Sequence, residues 1–138
     1  MSSNGPWMAF KNIFEKIGFE LAESLGRFEL MYKKFNDTVI LPKFIDWTKE
    51  QSKYKGWNLI YSDQCPWHEK SITGLKHCAL EYGFEMKIKK LKTLKEAQRA
   101  PSGFGTYTLI KDGKTFGNHY LSRTRFENIL KQELKTEK

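Results

Sequence analysis

Trp57-Asn-Leu-Ile-Tyr61-Ser-Asp-Gln-Cys65-Pro-Trp67 is the stretch from which the fold can be read. Asn58-Leu-Ile-Tyr-Ser62 is apolar, short and rich in strand formers, so it reads as a buried strand. Asp63-Gln-Cys-Pro66 turns the chain into a helix, with Pro66 suited to the first helical position. Ile72, Leu75, Ala79 and Tyr82 follow at helical spacing, and Gly83 stops the helix.

Working outward, Phe84, Met86 and Ile88 alternate with Glu85, Lys87 and Lys89, which predicts a half-buried strand. Thr93 can cap a short helix through Leu94, Ala97 and Gln98, stopped by Pro101. Thr106-Tyr-Thr-Leu-Ile110 is a strand, Asp112-Gly113 a hairpin turn, and Lys114 to Leu121 the returning strand. Ser122 can cap a last helix whose Phe126, Ile129, Leu130 and Leu134 share one face. The order β-α-β-α-β-β-α gives an α/β fold. A parallel β-α-β unit followed by an antiparallel hairpin and a closing helix is the thioredoxin-like plan, expected here over residues 57–138.

Upstream, Phe10, Ile13, Phe14 and Ile17 recur at helical spacing before Gly18. Phe19 to Glu23 and Phe28 to Lys33 then read as two strands. This helix-strand-strand appendage, residues 1–37, is too small to bury its own apolar face. Residues 38–56 are broken by Pro42 yet carry Ile40, Leu41, Phe44, Ile45 and Trp47. They are expected to form a linker packed on the next domain, with a short helix near Asp46–Lys53.

The 138 residues carry 24 basic and 16 acidic side chains, a net charge of +8. Nine basic and seven acidic residues lie up to Gly56, so the excess sits mostly beyond it. Such a balance favours anionic partners without choosing among them. No apolar run is long enough to span a membrane. The opening Met-Ser-Ser-Asn-Gly-Pro has neither a basic nor an apolar segment of a secretory signal. Two cysteines make no disulfide framework. The expectation is a soluble protein of a reducing compartment, the cytoplasm.

Cys65 falls where a strand runs into a helix N-terminus. Free backbone N–H groups and the helix dipole favour a thiolate there. His68, one turn on, stands where a dithiol oxidoreductase would hold its second cysteine. Cys78 cannot replace that cysteine: thirteen residues along one helix span ~20 Å, beyond the ~7 Å that a bridge allows. Two readings of Cys65 stay open. It is a monothiol nucleophile or ligand contact with His68 as proton partner, or a cysteine that merely occupies a capping position. Cys65, His68, His77 and His119 include no Cys-x-x-Cys or His-x-x-x-His pair, so no metal site is expected. Cys65, His119 and Asp63 would suit a hydrolase by residue type alone.

Arg99-Ala-Pro-Ser-Gly103-Phe-Gly105 approaches the phosphate loop of an acyltransferase. It is one residue too long and leads into a strand instead of a helix. It reads as a turn, which the fold would bring beside Cys65. Pro66, Trp67, Gly103, Gly105 and Thr106 are therefore candidate binding residues. Lys87, Lys89, Lys90, Lys92, Lys95 and Arg99 form the densest basic run, but Phe84, Met86, Ile88 and Leu91 fall on the core side. Nucleic-acid binding would need aromatics on the basic face, so only weak, non-specific binding is expected.

Tyr61-Ser-Asp-Gln-Cys-Pro-Trp67, Gln98-Arg-Ala-Pro101, Thr106-Tyr-Thr-Leu109 and Asp112-Gly-Lys114 together resemble the YoaP-like domain. That domain commonly follows a GNAT-type N-acetyltransferase domain. Asn12-Ile-Phe-Glu-Lys-Ile-Gly-Phe-Glu20 resembles the last helix and following strand of such a domain, and Phe28 to Tyr32 its final strand. The resemblance implies an accessory domain of an acetyltransferase-type protein. Acetyl-CoA is the implied cofactor of an intact family member, and none is expected in this chain, which lacks the acetyl-CoA loop. The tyrosine that serves such enzymes as general acid falls at Phe14. The implied partner is the acetyltransferase core or another protein chain. A monothiol redox or thiol-ligand module using Cys65 is the alternative, and a weak nucleic-acid-binding module the third.

Overall fold

A computed structural model describes residues 9–38 and 40–136. The opening hexapeptide, on which the absence of a signal was judged, lies outside them. The chain divides into two units, one up to Ile45 and one from Asp46.

The first unit holds α1 (Lys11–Lys16), β1 (Glu20–Leu25) and β2 (Phe28–Tyr32). β1 and β2 pair antiparallel through the two-residue turn Gly26-Arg27, with a bulge between Leu21 and Glu23. Phe14 and Phe19 meet edge to face at 5.5 Å. Lys33 Nζ donates to the Ile17 carbonyl, and Glu23 accepts from the Phe44 N–H. No described residue of this unit is buried.

The second unit begins with α2 (Trp47–Gln51), capped by the Asp46 carboxylate, which accepts from the Thr48 N–H. The segment 38–56 is thus divided. Its residues up to Ile45 cluster with the first unit, and from Asp46 it belongs to the second. Gln51 Nε2 donates to the Pro101 carbonyl and to Thr115 Oγ1.

There follow β3 (Trp57–Tyr61), α3 (Trp67–Glu81), β4 (Lys87–Lys90), α4 (Leu94–Gln98), β5 (Tyr107–Lys111), β6 (Lys114–Gly117) and α5 (Arg123–Thr136). The fold is α/β. The sheet order is β4-β3-β5-β6, with β3 and β4 parallel and the other pairs antiparallel. Alternation along β3 sends Trp57 and Leu59 to one face and Ile60 to the other. On the first face Leu75, Cys78 and Ala79 of α3 and Phe126 and Leu130 of α5 complete the larger core. On the second face Ile60, Leu91, Ala100 and Ile110 form a small core beside Tyr54.

Two strands are shorter than the alternation predicts. β4 begins at Lys87 because the N–H groups of Gly83 and Phe84 are taken by the Leu80 and Ala79 carbonyls at the end of α3. Phe84 instead stacks on Trp57, with centroids 5.9 Å apart. β6 ends at Gly117 after a register shift, which leaves Phe116 as an extra residue against Trp57. A Cβ at Gly117 would lie 2.7 Å from Leu121 Cδ1, and Leu121 is fully buried. We expect Gly117→Ala to lower stability by about 1–3 kcal/mol through overpacking. Urea denaturation checks this.

α3 is fixed to the sheet by buried polar groups as well as apolar ones. Ser71 Oγ donates to the Leu121 carbonyl at 2.6 Å and lies 2.8 Å from Tyr107 Oη, whose hydroxyl therefore donates to it. Burial pushes the Tyr107 hydroxyl up to about 12. The unfolded chain ionises this tyrosine near 10, so its stabilising share is complete below that pH and is lost as pH rises toward 12. That share is on the order of 2–3 kcal/mol. In Tyr107→Phe, the fall in stability between those pH values should be shallower by this amount in pH-dependent urea titrations.

Candidate functional site

The β3–α3 turn opens onto a cleft of about 830 Å³ along α3 and β4. Ile72 and Leu80 of α3 and Ile88 of β4 supply its apolar surface, with Tyr61 at the end of β3. Asp63, Glu69, Lys76, His77 and Lys90 supply its polar rim. Lys90 Nζ meets Asp63 Oδ2 at 2.5 Å, and the carboxylate holds the ammonium charged above its usual range. This ion pair ties the turn to the end of β4.

Cys65 is half-buried and Cys78 fully buried, and both are free thiols. Burial pushes the Cys78 thiol up. Pro66 has helical angles but stands one residue before the helix proper. Its missing N–H costs nothing there. The Cys65 carbonyl accepts from the His68 N–H and closes the first turn.

His68 lines the cleft, yet it is buried. Its Nδ1 lies 2.9 Å from the Ser62 carbonyl; a carbonyl only accepts, so Nδ1 carries the proton and donates. The ring packs on Tyr107 at 5.1 Å and against Tyr61 at 6.4 Å. Among the described hydrogen bonds, none joins His68 to the Cys65 sulfur.

Cys65, Pro66 and His68 thus share one cleft, whereas Trp67, Gly103, Gly105 and Thr106 do not line it. Trp67 is exposed, with Lys70 Nζ 5.9 Å from its ring centroid. Thr106 touches the turn from behind, its carbonyl accepting from the Ser62 N–H at 2.9 Å. The loop is therefore beside the turn without entering the cleft. Gly105, at φ +69°, donates to the Ser102 carbonyl. The loop runs into β5, so no helix N-terminus gathers N–H groups there for a pyrophosphate. This chain's loop does not fit acetyl-CoA. His119 Nε2 faces an Arg125 guanidinium nitrogen at 3.3 Å and does not line the cleft. Among the described residues no group of three His, Cys, Asp or Glu side chains could hold a metal ion, and no helix is long and apolar enough to cross a membrane.

Sequence reasoning missed His77, Lys76 and Lys90 as cleft residues. Ile72, Lys76 and Leu80 follow His68 at intervals of four, so the helical period held the signal.

Residues 86–128, within the second unit, match the family model described as YoaP-like. The chain is 29% identical over 127 residues to a Bacillus subtilis (strain 168) protein named uncharacterized N-acetyltransferase YoaP. That match covers 91% of this chain and 51% of the relative, so the chain spans about half of the relative's length.

The two thiols should separate cleanly in labelling. We expect iodoacetamide to modify Cys65 in the native protein and Cys78 only in urea, with Cys65→Ser abolishing the native reaction. Peptide mass mapping reads both sites.

Proposed function

We propose that this chain acts as the accessory portion of a GNAT-type N-acetyltransferase protein. The first unit would supply the closing helix and two strands of the acetyltransferase fold, and the second the appended YoaP-like module. The observation that carries this reading is the similarity to a protein named an N-acetyltransferase. At 127 of 138 residues it must include most of both units. The first unit adds support: α1, β1 and β2 come in the expected order, and Phe10, Ile13 and Ile17 stand exposed. A larger sheet would cover them. Acetyl transfer from acetyl-CoA would then require the acetyltransferase core, from further sequence or a second chain. Phe14, at the place of the expected general acid, has no proton to give.

A second reading rests on the half-exposed Cys65 at the end of a cleft, with its partner thiol buried. The strand order β4-β3-β5-β6 supports the thioredoxin-like plan, in which this turn carries the reactive cysteine. The Cys65 thiolate would attack a disulfide RS–SR, form the Cys65–S–S–R bond and release RS⁻. With His68 at the resolving position, the mixed disulfide would persist. Two free thiols suit a reducing compartment such as the cytoplasm.

Calorimetry separates the first reading from an autonomous enzyme. Acetyl-CoA titrated into this chain alone should give no binding heat, and binding should appear once a chain bearing the part of the Bacillus relative that this chain does not match is co-purified with it. Micromolar binding by the chain alone would overturn the accessory reading. Failure of the two chains to associate would count against the first unit as the closing part of the fold.

A further inference from the structure

β3 and β4 are adjacent and parallel, and the helices that follow them leave on opposite sides of the sheet. α3 packs on the larger core and α4 leads to Ala100 in the smaller one. Such a divergence leaves a crevice at the carboxyl ends of the strands, where α/β sheets bind ligands. Here it measures about 610 Å³ and is distinct from the α3–β4 cleft, sharing with it only Asp63 and Lys90.

Three features of its wall are chemical. Ser62 is only 8% exposed, and its Oγ makes no hydrogen bond. By strand alternation Ser62 falls on the side of Ile60, toward α4, and it lines the crevice. A buried hydroxyl left unpaired is rare and costly, and a ligand atom would satisfy it. Lys92 is exposed, and among the described ion pairs none includes it. The carboxylate nearest in sequence, Glu96, is occupied: it accepts from the N–H groups of Lys92 and Thr93 and from the Thr93 hydroxyl. Lys90 is already paired with Asp63. The wall thus has one uncompensated cation beside one uncompensated donor, with Leu94 and Ala97 as an apolar flank.

We propose that this crevice binds a small organic carboxylate. The carboxylate would lie between Ser62 Oγ and Lys92 Nζ, and its apolar body on Leu94 and Ala97. One anionic group matches one free ammonium, and the apolar flank disfavours a bare inorganic ion. The proposal is independent of acetyl transfer and of Cys65 reactivity, neither of which the test uses.

N-acetyl-leucine and N-acetyl-leucinamide share one apolar body and differ in the carboxylate. Each is titrated into the ¹⁵N-labelled full chain and followed by amide chemical shifts. With the acid, changes should cluster at residues 62–64 and 90–94 and saturate. The amide should bind about tenfold more weakly, having lost the charge-assisted bonds. Lys92→Gln should weaken the acid about threefold to fivefold, and Lys95→Gln, outside the crevice, should leave it unchanged. Ser62→Ala gives a readout that a structural role would not: affinity falls while the urea midpoint holds or rises, because an unpaired buried hydroxyl is removed. Equal response to acid and amide, shifts spread over the lysine face, no effect of Lys92→Gln, or a lowered midpoint in Ser62→Ala would each overturn the proposal.

Discussion

The Ser71 hydroxyl holds α3 in one position on the sheet. Of the five buried residues of α3, three are apolar and two, His68 and Ser71, are polar. Apolar contacts tolerate sliding by fractions of an ångström. A hydrogen bond between buried groups does not, because the displaced donor would lose its partner with no water to replace it. Ser71 bonds at once to β5 through Tyr107 and to the segment before α5 through the Leu121 carbonyl. One turn earlier His68 bonds to the Ser62 carbonyl at the end of β3. Two points on one helix face, each tied to a different stretch of chain, fix both the translation and the rotation of α3. The Cys65 turn leads directly into this anchored helix. His68, one of these two anchored residues, itself lines the cleft beside that turn.

The parts of this arrangement that depend on local chemistry were legible in the sequence. Asp112-Gly113 marked a hairpin, and both residues take positive φ, 48° and 81°. Thr93 marked a helix start, and it forms a reciprocal capping box with Glu96. Gly83 marked the end of α3, where φ is +77°. Each signal lies within a few residues of its effect. The misjudged boundaries depend on distant partners. Phe84 alternates correctly for a strand, but its N–H is spent on α3 and its ring on Trp57. Phe116 is an extra residue in β6 because Trp57 offers it a place. The resemblance to the YoaP-like domain, drawn from scattered motifs, was borne out over residues 86–128. For the candidate site, helical spacing put His68 on the same side as Cys65. It could not say that the imidazole is held by a carbonyl and two tyrosine rings.

The two faces of the sheet are built to different standards. α3 and α5, at 15 and 14 residues, cover one face with eleven buried residues. α2 and α4, at five residues each, have no buried residue of their own, and the cluster on the other face holds only four. Helices that short are not stable by themselves and depend on caps and tertiary contacts. Asp46, Thr93 and Glu96 supply the caps, and Gln51 ties α2 to Pro101 and Thr115. The basic run of β4 and α4 lies along this thin side. Its exposed lysines also blunt β4, which is an edge strand. The basic charge read from the sequence is therefore accounted for in part by sheet protection, before any partner is invoked.

The first unit poses the opposite problem. A two-stranded sheet and a six-residue helix lie below the size at which such elements hold together in water. Its ion pair, Lys11 with Glu29, is exposed, and exposed pairs add little. The bonds from Lys33 to Ile17 and from Tyr32 to Glu20 are exposed too, and that from the Phe44 N–H to Glu23 is part-buried. What remains is apolar surface: Phe10, Ile13 and Ile17 on or next to α1, and Leu21 and Leu25 on β1, all open. Isolated exposed apolar residues are ordinary, but five within sixteen positions of one small unit are not. The geometry of the hairpin is set, with register and bulge in place, while none of the unit's described residues is buried. A two-stranded sheet in that condition gains stability when a further apolar surface packs on it. The open apolar residues of α1 and β1 are the surface that the proposed acetyltransferase core would cover.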